Sequence, residues 1–139
     1  MENTREFKLE VVTPQAVFYS DYADMVEMKT TEGEMGVYKG HIPLTAVVAP
    51  GTLRIHKDNE VKEAVLLDGI IRVLEDSVTI LAEACEWADE IDLARAMEAK
   101  IRAERRLKGA EGEINVTRAE LALRRSLARI ELAEKYKNS

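Results

Sequence analysis

Residues 78–96, VTILAEACEWADEIDLARA, decide the fold because the residue pattern changes partway through them. The first five residues form a short apolar run with β-branched side chains, which is typical of a strand. From Ile91 onward Ala, Leu, Glu and Arg dominate, which is typical of a helix. The change predicts a domain boundary, with one domain over residues 1–88 and a second over residues 89–139.

The residues before this boundary are predicted to form strands. Apolar and polar side chains alternate over residues 7–11 and 53–56, as expected for half-buried strands. Further strands are predicted over 16–19, 24–29, 43–48, 61–66, 70–74 and 78–82, with turns at Pro50-Gly51, Asp58-Asn59, Asp68-Gly69 and Glu75-Asp76. Short strands at such spacing predict a small antiparallel β-sandwich or flattened barrel.

The residues after the boundary are predicted to form two helices. Asp89 is placed to cap a helix over residues 90–108, with Asp92 in its first turn and Gly109 as a left-handed stop. Thr117 and Glu120 have capping-box spacing, which predicts a second helix running as far as Asn138. Because the connector is short, the two helices are expected to form an antiparallel hairpin. The predicted class is therefore α+β in two segregated domains.

The second helix carries more apolar surface than one hairpin partner can cover. Its apolar residues fall on two separated stripes: Ala119, Leu123, Leu127 and Ile130 on one, and Leu121, Ala128 and Leu132 on the other. Either one stripe meets the first helix and the other meets the sandwich, or one stripe binds a different protein.

Arginines repeat on both helices with matching spacing: Arg95, Arg102 and Arg106 on the first, and Arg118, Arg125 and Arg129 on the second. The first set lies beside the small residues Ala96, Ala99 and Ala103. If the two sets face each other, their repulsion favours an anion, and guanidinium groups match phosphate oxygens. The alternative is a solvated face on which Glu98, Glu104 and Glu120 neutralise the arginines.

Length and composition exclude several classes of protein. A chain of 139 residues is too short for a large multi-domain enzyme, and its net charge of -6 makes nucleic acid an unfavourable partner. One cysteine, Cys85, permits no intrachain disulfide, so we expect a reducing cytoplasm and no secretion. No apolar run approaches the roughly 20 residues of a spanning helix, so direct insertion into a membrane is not expected.

Catalytic and metal motifs are missing from the sequence. The two histidines, His41 and His56, lie in separate contexts, His56 in an alternating run that is expected to face solvent, and no His or Cys group has zinc spacing. No Gly-rich phosphate loop ends in Lys-Ser/Thr, so any nucleotide is expected to bind without hydrolysis. Cys85 is interpreted as a small buried residue rather than a nucleophile.

The chain resembles the epsilon subunit of the F-type ATP synthase over its whole length. The resemblance rests on residues 32–44 (EGEMGVYKGHIPL), Pro50-Gly51, residues 78–83 (VTILAE), residues 91–96 (IDLARA) and residues 118–123 (RAELAL). Two positions differ from the common pattern, with Lys39 in place of a frequent proline and Asp68-Gly69 in place of Gly-Gly.

This resemblance implies a central-stalk subunit of a proton- or sodium-driven machine, with no catalytic activity of its own. Its sandwich would bind the gamma subunit and rest on the membrane-embedded c-ring, with the loop from Gly33 to His41, including Glu34, toward the ring. Its hairpin would fold down on the sandwich or extend into the alpha/beta catalytic head and block ATP hydrolysis. The expected location is the cytoplasmic face of the bacterial plasma membrane, peripherally attached.

The resemblance also implies a regulatory ATP site, with or without Mg²⁺. In many bacterial members the motif Ile/Leu-Asp-x-x-Arg-Ala marks it, and it matches residues 91–96 here. The implied ATP-binding residues are Glu86, Ile91, Asp92, Arg95, Ala96, Arg102, Arg125 and Arg129. Bound ATP would favour the compact hairpin. A free-standing ATP-sensing module is the alternative function.

Overall fold

The computed structural model describes residues 5–137, and the chain divides between Glu86 and Trp87 into two compact units. The first unit is built of strands and the second of helices, as the predicted fold class requires. The strands are β1 (Phe7–Val12), β2 (Val17–Ala23), β3 (Met25–Thr30), β4 (Gly33–Tyr38), β5 (Leu44–Val48), β6 (Gly51–Lys57), β7 (Glu60–Val73) and β8 (Ser77–Trp87).

Strand pairing closes the first unit on itself. The strands follow the order β2-β1-β8-β7-β5-β3-β4, and β6 additionally pairs with β3 and β7. The first half of β7 pairs with β6 and the second half with β5, so one strand serves two layers. Pairing is antiparallel except between β1 and β8, which run parallel. The expected sandwich is confirmed, and the parallel pair corrects the expectation of a wholly antiparallel one.

The predicted turn at Asp68-Gly69 is wrong, because β7 continues through it. Asp68 has φ 49° and Gly69 has φ 141°, so the chain bends without reversing. A side chain on Gly69 would overlap the carbonyl oxygen of Leu81 on β8. Glycine is therefore required where β7 passes β8 closely, whereas an aspartate tolerates the left-handed conformation before it.

The loop expected from Gly33 to His41 is largely a strand. Gly33–Tyr38 forms β4, which pairs with β3 from Thr30↔Gly33 to Met25↔Tyr38 and lies at an edge of the sheet. Two of its six residues are glycines, which weakened the strand signal. The predicted turn at Asp58-Asn59 is confirmed, since its φ values of 51° and 63° suit a hairpin between β6 and β7.

The core of the strand unit comes from large apolar side chains. Alternation holds on β1, where Phe7, Leu9 and Val11 are buried, and it holds on β6 for Leu53 and Ile55. Five consecutive residues of β7, Glu63–Leu67, are buried without alternation, and the last four of them are apolar. Burying each large aliphatic or aromatic side chain stabilises the unit by about 1.5–3 kcal/mol.

The helical unit begins with a 3₁₀ turn, Ala88–Glu90, followed by helices α1 (Leu93–Gly109) and α2 (Glu113–Lys137). Asp92 caps α1, accepting a hydrogen bond at 3.1 Å from the Arg95 amide, so the prediction that Asp89 caps the helix is wrong. The left-handed residue of the connector is Gly112, with φ 84°, and not Gly109, which ends α1.

The second helix starts four residues before its predicted cap. Thr117 lies inside α2, where its hydroxyl donates to the carbonyl of Glu113 at 2.8 Å. A capping box is therefore not formed at Thr117. The predicted end at Asn138 lies outside the described residues, and α2 reaches Lys137.

Small residues form the contact between α1 and α2, which we call the seam. Ala96 and Ala103 are buried on α1, and Ala119, Ser126 and Ala133 repeat every seven residues on α2. These spacings fit an antiparallel register that sets Ala103 opposite Ala119 and Ala96 opposite Ser126, and the 3₁₀ turn that holds the buried Ala88 also contacts α2. Small side chains let the helix backbones approach closely, so Leu123, Leu127 and Ile130 lie beside the seam rather than in it. Leu127 is accordingly exposed, whereas Ala128 and Leu132 of the second stripe are buried.

Candidate functional site

The seam fixes where the arginines of the hairpin point. At 100° per residue, Arg95, Arg102 and Arg106 lie about 80–120° from the seam on one flank of α1. Arg118, Arg125 and Arg129 lie at the same angles on α2. Because the helices are antiparallel, these two flanks share one side of the hairpin. The six arginines therefore form a single basic side, which the sequence had left as one of two alternatives.

The arginines of this basic side differ in their surroundings. Arg95, Arg102, Arg106 and Arg118 are exposed, and Arg125 and Arg129 are half-buried. In that register each end of the basic side carries arginines from both helices, with Arg106 and Arg118 near the connector and Arg95 and Arg129 at the other end. Arg106 and Arg118 line the same cavity beside the connector. A multiply charged anion on this side would reduce the repulsion among the guanidinium groups.

The Ile-Asp-x-x-Arg-Ala motif lies at the start of α1. Ile91 is half-buried and extended, with φ -72° and ψ 126°, and links the 3₁₀ turn to the helix. Asp92 is exposed and Ala96 is buried in the seam. The motif thus has a structural explanation in the cap and the seam, and it also places Arg95 on the basic side.

The remaining predicted site residues lie on the strand unit. Glu86 is half-buried near the end of β8, whereas the other seven predicted ATP-binding residues belong to the helical unit. Glu34 is exposed at the start of β4, and His41 follows the end of that strand. From Glu34 to Tyr38 the strand rises roughly 13 Å, so Glu34 and His41 lie toward opposite ends of β4.

Sequence reasoning missed a charged cluster on β3, β6 and β7. Glu27 pairs with Arg54 at 3.3 Å and with His56 at 3.2 Å, and Arg54 pairs with the buried Glu63 at 3.4 Å. His56 is thus half-buried and partnered, which corrects the expectation that it faces solvent. The strand register brings these charges together, because Arg54 is the cross-strand neighbour of Glu27 on β3 and of Glu63 on β7. Only that register could have revealed the cluster.

A second ion pair connects β2 and β6. The Lys57 ammonium donates to Asp21 at 2.8 Å. That hydrogen bond lowers the pKa of Asp21 and raises the pKa of Lys57. Both side chains are substantially exposed, so the pair contributes little to stability.

An apolar row crosses the outer surface of four adjacent strands and extends onto β2. Val47 pairs with Ile70, while Val12 pairs with Leu81 and with Val17. Four of these residues are large and exposed: Val17 by 61%, Val47 by 54%, Leu81 by 55% and Ile70 by 48%. The row lies on β5, β7, β8, β1 and β2, which are consecutive neighbours in the sheet. Apolar side chains exposed together mark a surface for another protein.

Cys85 is unsuited to nucleophilic chemistry. Burial, together with the charge of Glu86, raises the pKa of its thiol to about 12. The thiol therefore stays protonated at neutral pH. Across residues 5–137, no three His, Cys, Asp or Glu side chains gather as a metal site would require. Neither of the two described helices has the apolar length needed to cross a bilayer.

These features define a class of protein: a binding subunit made of a strand domain with an apolar docking row and a helical hairpin with one basic side. The family model for the beta-sandwich domain of the ATP synthase delta/epsilon chain matches residues 6–88. The model for the long alpha-helix domain of that chain matches residues 89–134. The chain therefore belongs to the ATP synthase delta/epsilon chain family, and it is a stalk subunit of ATP synthase rather than the catalytic one.

Similar proteins span nearly the whole chain. The ATP synthase epsilon chain of Caldanaerobacter subterraneus subsp. tengcongensis is 45% identical, over 95% of this chain and 96% of its own length. That of Ruminococcus albus is 43% identical, over 93% of this chain and 97% of its own length. A chain in the cryo-EM structure of the Euglena gracilis mitochondrial ATP synthase has the same fold, with a TM-score of 0.81 at 22% identity, over 96% of this chain and 84% of that chain.

Proposed function

We propose that this subunit has two separable tasks, one for each unit. The strand unit binds the gamma subunit and the c-ring and so couples the catalytic head to the ring. The helical unit binds ATP when its helices are packed together, and it restrains ATP hydrolysis when they are not. The observation that carries the regulatory half is the basic side, because only the closed hairpin gathers arginines from both helices.

The apolar row is the proposed gamma-binding surface. It offers four large exposed side chains on regular strands, and burying apolar surface is the main favourable term in most protein association. Because the strands are fixed by their pairing, the row is preorganised and binding requires little ordering. The two charged clusters, by contrast, have their partners within the strand unit.

Gamma binding is tested by placing a charge in the row. We expect Val47→Asp to weaken capture of the gamma subunit by at least tenfold, because the carboxylate would be desolvated in the interface. Val61→Asp is the matched control, since Val61 is also an exposed strand valine but lies outside the row. Equal capture of gamma by both variants would show that gamma binds elsewhere.

The c-ring contact is proposed for the region around β4. Glu34 and Tyr38 are exposed on this edge strand, and Ile42, which follows His41, is 79% exposed. Because Glu34 and His41 lie toward different ends of β4, we expect their contacts with the ring to be independent. Cross-linking from cysteines placed at 34 and 41, in the assembled enzyme, would report each one separately.

ATP is proposed to bind on the basic side of the closed hairpin. Arg95, Arg102, Arg125 and Arg129 would bind the phosphates, and Asp92 would accept a hydrogen bond from the nucleotide or orient an arginine. Mg²⁺ would accompany ATP as part of the ligand, because the described residues offer no metal cluster of their own. The chain contributes charge and geometry rather than catalysis, so bound ATP is not hydrolysed.

ATP binding closes the hairpin by mass action. A ligand that binds only the closed form stabilises it by RT ln(1 + [ATP]/Kd), about 2.7 kcal/mol at a hundredfold excess over Kd. The seam consists of alanines and one serine, so it stabilises the closed form only modestly. When ATP falls, the helices separate, extend into the catalytic head and block hydrolysis, at the cytoplasmic face of the membrane.

Isothermal titration with ATP tests the regulatory half. We expect Arg125→Ala to weaken ATP binding at least tenfold, and Arg124→Ala, the adjacent arginine off the basic side, to change it less than twofold. Asp92→Asn keeps a side chain that caps the helix well but removes the carboxylate. This variant therefore separates the role of Asp92 as a helix cap from its proposed role in binding ATP. The ATP site is assigned wrongly if wild type shows no heat of binding or if Arg125→Ala binds as wild type does.

A further inference from the structure

A cavity at the connector end of the hairpin lies outside the proposed ATP-binding residues. It measures about 550 Å³ and is lined by Arg106, Gly109, Ala110, Glu111, Asn115, Arg118 and Ala119. Arg106 of α1 and Arg118 of α2 both line it, so each helix contributes one arginine to the cavity. Arg106 is about 16 Å along the axis of α1 from Arg95 at 1.5 Å per residue, so the cavity is separate from the end of the basic side that carries the motif.

The two guanidinium groups of this cavity have no ion-pair partner among residues 5–137. Over residues 5–137, the side chains of Arg106 and Arg118 form no ion pair or hydrogen bond, whereas Arg54 and Lys57 both pair with carboxylates. Glu111 also lines the cavity but lies beyond ion-pair distance of both arginines. The formal charge of the lining residues remains +1.

The connector holds the two arginines in place. Gly112 turns the chain at φ 84°, and Ala110 is extended at φ -73° and ψ 133°. The Asn115 side chain donates to the Glu111 carbonyl at 3.0 Å, and the Val116 amide donates to the Gly112 carbonyl at 3.2 Å. These bonds fix the start of α2, which carries Arg118, relative to the connector.

We propose that Arg106 and Arg118 form an anion site that binds a phosphate group. Two guanidinium groups that line one cavity can each donate two hydrogen bonds to the oxygens of one tetrahedral phosphate. A dianion neutralises both arginines, which a single carboxylate does not. The cavity has room for the phosphate together with water. Because both helices contribute one arginine, an occupied site ties α1 to α2 at the connector end.

This site does not depend on the proposed ATP site. The phosphate group could belong to free inorganic phosphate or to a nucleotide that reaches the connector from the basic side. Both sources present the same oxygens to the arginines. They differ in whether inorganic phosphate alone occupies the site.

The experiment follows the arginine side-chain N–H resonances of the full chain by NMR at constant ionic strength. Inorganic phosphate is titrated in one arm and ATP in the other. We expect saturable shifts of Arg106 and Arg118 in at least one arm. Shifts with phosphate identify the free ion as a ligand, and shifts with ATP alone identify a nucleotide phosphate.

Matched double variants give the control. Arg106→Gln with Arg118→Gln removes the site, whereas Arg105→Gln with Arg124→Gln removes the same charge from the same helices off the basic side. The first variant should weaken binding at least tenfold, as read from phosphorus-31 line shapes, and the second less than twofold. Equal weakening in both variants, or no saturable shift in either arm, overturns the site. Both proposals are supported if Arg125→Ala abolishes ATP binding while inorganic phosphate still shifts the Arg106 side-chain resonance. If the wild-type chain binds phosphate but not ATP, the proposed ATP site is wrong and the phosphate site is retained.

Discussion

The strand unit and the helical unit are each stabilised internally by a different kind of packing. The strand unit buries large side chains such as Leu9, Leu66 and Ile71, and its strands are tied by a closed circuit of pairing. The hairpin seam buries five alanines and one serine, and an alanine methyl is worth about 0.8 kcal/mol. The seam is thus of the same order as the free energy that a ligand at a hundredfold excess supplies. A part built this way can be switched by its ligand, whereas the strand unit cannot.

The largest effect is expected in the strand core. Ile71→Ala should lower the free energy of unfolding of the strand unit by about 2–5 kcal/mol, because it leaves a cavity in a packed core. The matched control is Ile70→Ala, one residue away and 48% exposed, which should cost about 0.5 kcal/mol or less. Urea unfolding followed by circular dichroism measures both. Similar losses for the two variants would mean that burial does not separate the faces of β7.

The bend in β7 comes next. Gly69→Ala should destabilise the strand unit by about 3 kcal/mol, because the new methyl overlaps the Leu81 carbonyl and φ 141° is strained for alanine. Gly112→Ala, in open space at φ 84°, should cost only about 1 kcal/mol, and only in the hairpin. Thermal unfolding distinguishes them. If Gly69→Ala is tolerated as well as Gly112→Ala, the close passage of β7 by β8 is not as described.

The seam is tested by overfilling it. Ala96→Leu should open the hairpin at a cost of about 1–3 kcal/mol without affecting the strands. Ala94→Leu places the same side chain on an exposed position of α1 and serves as the control. Amide hydrogen exchange should speed up in α1 and α2 of the first variant alone. Faster exchange throughout the strands as well would show that the units do not behave separately.

The helix cap gives a smaller effect. Asp92→Ala removes the hydrogen bond to the Arg95 amide and should cost the hairpin about 1 kcal/mol. Asp89→Ala removes an acidic residue that caps nothing and should be nearly neutral. Amide hydrogen exchange rates in the first turn of α1 provide the measurement. Equal rates in the two variants would contradict the assignment of Asp92 rather than Asp89 as the cap.

The smallest effect at neutral pH concerns the Cys85 thiol, whose contribution to stability changes only in alkali. Burial raises the pKa of the Cys85 thiol from an ordinary value of 9.0 to about 12. The unfolded chain therefore releases this proton first, and the contribution is complete below pH 9 and declines as pH rises toward 12. Iodoacetamide should alkylate Cys85 slowly at pH 8 in the native chain and quickly in urea. Rapid native alkylation would contradict the burial.

The sequence predicted the general architecture because both periodicities are strong. Alternation on β1 and β6, and the helix-forming composition after Glu90, identified the two units. What it missed has local causes. The two glycines of β4 weakened the strand pattern there. Asp68-Gly69 resembles a turn in the sequence because these residues have turn-like φ values inside one continuous strand. Two acidic residues near the first helix competed as caps, and only backbone geometry chose Asp92.

The candidate site was predicted less completely than the fold. Matching arginine spacing was visible in the sequence, but its placement on one side required the seam, which runs through Ala119, Ser126 and Ala133 rather than through the larger apolar residues. Size alone favours leucine as a core residue, whereas close helix packing favours alanine. The Glu27-Arg54-Glu63 row was hidden because register across three strands cannot be read from periodicity.

Hydrogen exchange of the full chain with and without ATP shows whether the hairpin closes on its ligand. We expect ATP to slow exchange in α1 and α2, including the amides around Ala96 and Ser126, and to leave β1 to β7 unchanged. Arg125→Ala should abolish this protection and Arg124→Ala should retain it. Exchange in the helices that ATP does not slow, or equal slowing across the strands, would contradict a hairpin that closes on its ligand independently of the domain that carries it.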